Sequence, residues 1–215
     1  GDIQTAFDGI TYQKGAAVLA MFERWVGEER FRAGMRDYLA KRKFGSGSSD
    51  DLIATLSAAS GKGEHFAKAM RSFLDQPGVP LVQTTLSCRS GKARLDLHQQ
   101  RYLPYGVMAG ESSTWDVPVC VRFGRGKTMD SQCFLLDKAE ASFDVEGSCP
   151  DWYLPNADAR GYYRFEMDKP DLARLAAAVS SLAPVEQMTY ADALSSAFHR
   201  GTLPPGTLLE AVPLL

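Results

Sequence analysis

Tyr12 is the residue whose type and surroundings best suit it to chemistry. Its phenolic hydroxyl sits on a rigid arm and can donate a hydrogen bond to an oxygen that gains negative charge during a reaction. It opens the string Tyr12-Gln13-Lys14-Gly15-Ala16-Ala17, just ahead of a turn with almost no side chains. Val18, Met21, Phe22 and Trp25 follow at three- and four-residue spacing, which predicts a helix with one buried apolar stripe. Gly15, Ala16 and Ala17 leave room for another element to approach that first turn closely. A lone tyrosine at a helix start packs more often than it reacts, so the rest of the chain has to supply the context.

The other chemistry-bearing residues are scattered. The three histidines, His65, His98 and His199, fall in three different predicted elements with no ligand spacing. His65 lies near a helix start, His98 on a strand, and His199 near a helix end, where a cation suits the dipole. The carboxylates Glu28, Glu29, Asp50 and Asp51 sit at predicted helix N-termini and read as solvated caps. Gly124-Arg125-Gly126-Lys127 lacks the spacing of a phosphate loop and reads as a turn. The Ser-rich stretch 46–49 has no partnered histidine. Arg160 and Arg164 flank an aromatic pair, but no basic patch surrounds them.

The four cysteines, Cys88, Cys120, Cys133 and Cys149, form no Cys-x-x-Cys pair, which argues against a zinc knuckle or a thioredoxin-type site. Cys120 and Cys133 can face each other across adjacent strands, and a disulfide there suits the periplasm or the extracellular space more than the cytoplasm. Four buried thiols behaving as small hydrophobes is the other reading, so the compartment stays open.

With 215 residues the chain can hold one to three small domains. Hydrophobic content of 45% and charged content of 23% are ordinary for a globular protein. Lys and Arg number 24 against 26 Asp and Glu, a net charge of −2, which offers no electrostatic case for nucleic acid or an anionic membrane. No apolar run approaches a membrane span, and the N-terminus lacks a basic-then-apolar signal pattern.

Three textures follow one another. Residues 1–80 read as four amphipathic helices. The second runs from Glu28 to about Arg42, the third is capped by Ser49 or Asp50, and the fourth carries Phe66, Met70, Phe73 and Leu74. Pro77, Gly78 and Pro80 end the helical character. Residues 81–167 read as short strands: Leu81–Cys88, Ala93–Gln99, Trp115–Phe123, Ser131–Leu136, Ala141–Val145 and Tyr162–Met167, with a hairpin turn at Ser90-Gly91-Lys92. Short strands at this density suggest a β-sandwich. Residues 168–215 return to helix, with Pro170 in one first turn and Pro184 opening another.

The string FDGITYQKGAAVLAMFERWVGEERFRAGMRDYL resembles the tyrosine-bearing segment of the M1 family of zinc aminopeptidases, whose pattern is an aromatic, a few residues, then Tyr-x-Lys-Gly-Ala. Further along, SSDDL, DQPGVPLV, WDVPVCVRF and LPNADARGYYRFEM are similar to later parts of the same family. The resemblance implies that Tyr12 is the catalytic tyrosine stabilising the tetrahedral intermediate and that Phe7 lines the substrate pocket. Asn156, Gly161, Tyr162, Tyr163 and Arg164 match positions that are structural in the family.

The fold it implies is multidomain α+β, in three units. These are the helical C-terminal part of a thermolysin-like catalytic domain (1–80), an immunoglobulin-like β-sandwich (81–167) and the start of an α-helical superhelical domain (168–215). The implied activity is removal of N-terminal residues from peptides, with zinc as cofactor. The family's His-Glu-x-x-His and Gly-x-Met-Glu-Asn motifs are absent from the sequence, so no residue here is nominated as a metal ligand. The chain is therefore expected to be a truncated piece, inactive alone, with faces exposed by truncation that could drive oligomerisation. The alternative is a non-catalytic interaction module derived from the family. An unrelated helical domain joined to an adhesive sandwich would not explain the order of the motifs.

Overall fold

The computed structural model describes residues 9–108, 110 and 113–211. Helices α1 (Gly9–Val26), α2 (Glu28–Lys41), α3 (Ser49–Ser60) and α4 (Glu64–Leu74) come first. Seven strands follow: β1 (Pro80–Arg89), β2 (Lys92–Arg101), β3 (Val117–Arg125), β4 (Thr128–Leu136), β5 (Glu140–Val145), β6 (Trp152–Leu154) and β7 (Arg164–Met167). Helices α5 (Lys169–Ala178), α6 (Pro184–Arg200) and α7 (Pro205–Ala211) close the described chain. The protein is thus a mixture of helices with two small sheets.

The stripe on α1 is buried as its spacing predicts: Val18, Met21, Phe22 and Trp25 all enter the core. Phe22 meets Phe66 and Phe73 of α4 edge-on, with ring centroids 5.1 and 6.2 Å apart, and Trp25 stacks on Phe66. Among the described residues the close approach expected at Gly15 is not seen: none has an atom within 4 Å of a Cβ built there, and Ala16 is exposed.

Helix α3 is capped one residue earlier than expected. Ser48 Oγ accepts from the Asp51 backbone N–H at 3.2 Å, and Asp51 Oδ2 accepts from the Ser48 N–H at 3.0 Å. The carboxylate three residues into the helix completes a reciprocal box that Ser49 or Asp50 could not form.

One sheet has the order β5-β2-β1-β7, with β7 parallel to β1, and the other has the order β4-β3-β6. The β1–β2 turn is two residues, Ser90 and Gly91, both at positive φ. That is the hairpin geometry matching strand twist, and glycine meets it without strain. The β3–β4 turn is likewise two residues, Gly126 and Lys127, so β4 begins at Thr128 rather than Ser131.

Strand β3 begins at Val117 rather than Trp115. There the Gln99 side chain replaces strand pairing: its Oε1 accepts from the Trp115 N–H at 2.8 Å and its Nε2 donates to the Trp115 carbonyl at 2.6 Å. Strand β6 was not foreseen. Its three residues are all buried, so it shows no alternation to read. The last strand starts at Arg164, because Tyr162 and Tyr163 belong to the loop before it.

The inner faces of both sheets contribute to one apolar cluster, which continues into the helices on either side. Phe134 of β4 and Phe143 of β5 join the sheets with ring centroids 5.0 Å apart. Both disulfides lie in this body. Cys120 and Cys133 are directly opposed in the β3–β4 register, and Cys88 of β1 pairs with Cys149 ahead of β6.

Helix α5 docks through a buried carboxylate. Asp168 caps the helix, while Asp171 Oδ2 accepts from the Leu86 N–H of β1 at 3.0 Å and from the Tyr153 hydroxyl of β6 at 2.8 Å. Burial pushes the Asp171 carboxyl above its ordinary value of 3.8 and raises the Tyr153 phenol as well. The folded protein therefore holds a proton on Asp171 in a pH range where the unfolded chain has released it. Stability contributed this way is present below pH 3.8 and is lost as pH rises through the raised folded value. Asp171→Asn keeps an acceptor in place of Oδ2 and removes the titration. Urea unfolding across mildly acidic pH should show the wild-type chain losing stability relative to Asp171→Asn as pH increases. Parallel pH curves would contradict this account.

Candidate functional site

Tyr12 lies near the start of α1, ahead of the buried stripe, and is 61% exposed. The helix is thus divided in function along its length. From Val18 onward it carries the buried stripe, while Tyr12, Gln13 and Ala16 before it are exposed. Phe7 lies outside the described residues. Lys14, two residues after Tyr12, is half-buried and its Nζ donates to the Gln76 carbonyl at 3.1 Å. Loss of water around the ammonium lowers its pKa from the ordinary 10.5.

The far end of α1 is fixed by charge. Arg24 Nε donates to Asp158 Oδ2 and its Nη2 to Ser131 Oγ of β4, each at 2.6 Å. Arg122 of β3 donates to Asp158 through Nη2 and, through Nε, to Glu186 Oε1 of α6 at 2.6 Å. Glu186 also accepts from the Asp158 backbone N–H at 2.9 Å and is only 2% exposed. One network therefore joins the first helix, the second sheet and α6. The sequence gives no local sign of it, since Arg24 and Asp158 are 134 positions apart.

The matched structural residues close a single loop. Asn156 Oδ1 accepts from the Gly161 N–H at 2.7 Å, its Nδ2 donates back to the Gly161 carbonyl, and the Tyr163 hydroxyl donates to the Pro155 carbonyl at 2.6 Å. A Cβ at Gly161 would collide with the Tyr163 ring, so this position requires glycine. Arg164 pairs with Asp192 and lies over the Tyr102 ring, while Arg160 pairs with Glu23.

The three histidines stay apart. His65 begins α4, His98 Nδ1 lies 3.0 Å from Gln83 Oε1 on neighbouring strands, and His199 ends α6 beside Ser195. Among the described residues no group of three or more His, Cys, Asp or Glu is arranged to hold a metal ion. The side chains described therefore do not fit a zinc ion. An apolar cavity of about 440 Å³ lies among β7, α5, α6 and the segment 202–207, and no α1 residue lines it. No described helix is long and apolar enough to cross a membrane.

Residues 1–76 match the Peptidase family M1 domain. Over 195 residues the chain is 31% identical to Aminopeptidase M1 of Arabidopsis thaliana, covering 84% of this chain and 21% of that protein. It is 31% identical over 193 residues to the Probable M1 family aminopeptidase 1 of Encephalitozoon cuniculi, covering 89% of this chain and 21% of that protein. Over 183 residues it is 30% identical to the human Thyrotropin-releasing hormone-degrading ectoenzyme, covering 78% and 17%. The chain belongs to peptidase family M1. It spans about a fifth of the length of these relatives.

The charge network makes its own prediction. Glu186→Leu leaves Arg122 and the Asp158 N–H short of an acceptor and should lower unfolding stability by about 3 kcal/mol. The double variant Arg122→Leu/Glu186→Leu should be less destabilised than the sum of the singles by at least about 1 kcal/mol. Strictly additive losses in urea unfolding would mean that the two side chains do not act as a pair.

Proposed function

We propose that this chain is part of a zinc-dependent aminopeptidase that removes N-terminal residues from peptides, and that Tyr12 is its oxyanion donor. The observation that carries this reading is the presentation of Tyr12: an exposed tyrosine near the start of a helix whose stripe from Val18 onward is locked into the core. A donor held by a rigid element needs little rearrangement as charge develops on the substrate oxygen, which is where such a group contributes most. The names of the relatives support the substrate class, since each described above is called an aminopeptidase or a hormone-degrading ectoenzyme. On this reading Phe7 lines the pocket that receives the peptide. When bound, zinc would polarise the scissile carbonyl and activate water, held by residues other than those described here.

The same reading divides the chain into residues 1–80, the helical part of the catalytic domain; 81–167, an immunoglobulin-like β-sandwich; and 168–215, the start of an α-helical superhelical domain. The two disulfides favour maturation in an oxidising compartment, periplasmic or extracellular.

The test is a graft. Residues 1–76 of this chain replace the matching segment of an active M1 aminopeptidase, and turnover of an alanyl or leucyl chromogenic amide is followed. The graft should retain activity, and Tyr12→Phe within it should lower kcat by about 10²–10³-fold, the usual loss for one oxyanion donor. A folded, active graft that is indifferent to Tyr12→Phe would overturn the assignment and favour an interaction module.

A further inference from the structure

The stretch of residues 13–17 differs from the α1 residues after it in what holds it. Gln13 and Ala16 are exposed, and among the described residues no atom stands within 4 Å of a Cβ built at Gly15, so the buried apolar stripe of this helix takes over only from Val18. The Lys14 side chain reaches from this stretch into the body of the protein. Its ammonium meets a backbone carbonyl, that of Gln76, at 3.1 Å. A carbonyl directs the donor without neutralising it, and partial burial limits the water that could compete.

The receiving carbonyl is itself well fixed. Gln76 Nε2 donates to the Ser72 carbonyl of α4 at 3.1 Å and to the Thr114 carbonyl at 3.0 Å. Ser72 Oγ accepts from the Asp116 N–H at 3.1 Å, and Lys68 Nζ stands 3.0 Å from Asp116 Oδ2. The end of α4 and the approach to β3 are therefore stitched together where Lys14 attaches. Three segments far apart in sequence meet two residues from Tyr12.

We propose that Lys14 is a positioning residue for Tyr12: its ammonium, held on the Gln76 carbonyl, fixes the turn that carries the phenol and ties it through Gln76 and Thr114 to the sheet body. The consequence for catalysis rests on the reading of Tyr12 as the oxyanion donor, whereas the anchor itself can be measured on this chain alone.

The experiment uses the 215-residue protein labelled with 3-fluorotyrosine, the Tyr12 resonance being identified by its loss in Tyr12→Phe. Lys14→Met keeps the aliphatic stem and removes the donor; Lys14→Arg keeps a cation with N–H groups. In Lys14→Met the Tyr12 fluorine signal should move towards that of free fluorotyrosine. Amides 15–18 should exchange roughly tenfold faster, the effect of losing one charge-assisted hydrogen bond. Exchange at Phe22–Val26 should rise less than at 15–18, the folded-to-unfolded ratio should fall by no more than that same tenfold, and Lys14→Arg should restore the Tyr12 signal.

An unchanged Tyr12 signal in Lys14→Met would overturn the proposal. So would exchange rising equally along all of α1, which would make Lys14 a general stabiliser, or an arginine variant behaving like methionine. If the anchor is confirmed here while Tyr12→Phe is silent in the grafted enzyme, the oxyanion reading fails and the positioning of the turn stands.

Discussion

Phe22 is fully buried, with its ring edge-on to Trp25, Phe66 and Phe73, and the placement of α1 depends on that cluster. Rings at these separations contribute both buried area and favourable quadrupole geometry. They clamp α1 to α4, so the direction in which its first turn leaves the core is set by packing several residues away. An exposed tyrosine on a loose segment would have to be ordered for each reaction. On this helix most of that ordering is done at folding.

Apolar packing fixes α1 against α4, but the relation of α1 to the sheets is fixed by charge. Arg24, Arg122, Asp158 and Glu186 form a network in which a nearly fully buried carboxylate receives both an arginine and a backbone amide. Such a group is costly to bury unless every partner is present, so the network discriminates against altered arrangements of the parts it joins. Asp171 plays a comparable part for α5, reaching one strand of each sheet from one carboxylate. The three textures of the sequence are in this way tied into a common core.

Much of the fold was legible because it obeys period. The α1 stripe, the β1–β2 hairpin and the prolines in the first turns of α5 and α6 follow directly from spacing and from residue conformational limits. The misses have physical causes. Gln99 takes over the pairing of Trp115 with its side chain, so β3 begins later than its apolar run. Strand β6 is too short and too uniformly buried to alternate. Among the described residues nothing approaches Gly15, because small residues permit an approach without causing one. The family was legible through the Tyr-x-Lys-Gly-Ala string, which lies in the segment that matches the Peptidase family M1 domain. The partners of Lys14 and Arg24 were not, because each lies at least 62 positions away.

The sequence holds no His-Glu-x-x-His, and among the described residues no cluster is arranged to hold a metal ion, while Tyr12 offers a phenol. Elemental analysis of the purified 215-residue protein, with turnover of an alanyl or leucyl chromogenic amide in the same sample, tests this most directly. The account predicts no stoichiometric zinc and no turnover. One zinc per chain with chelator-sensitive hydrolysis would contradict it and would return His65, His98 and His199 to consideration as ligands.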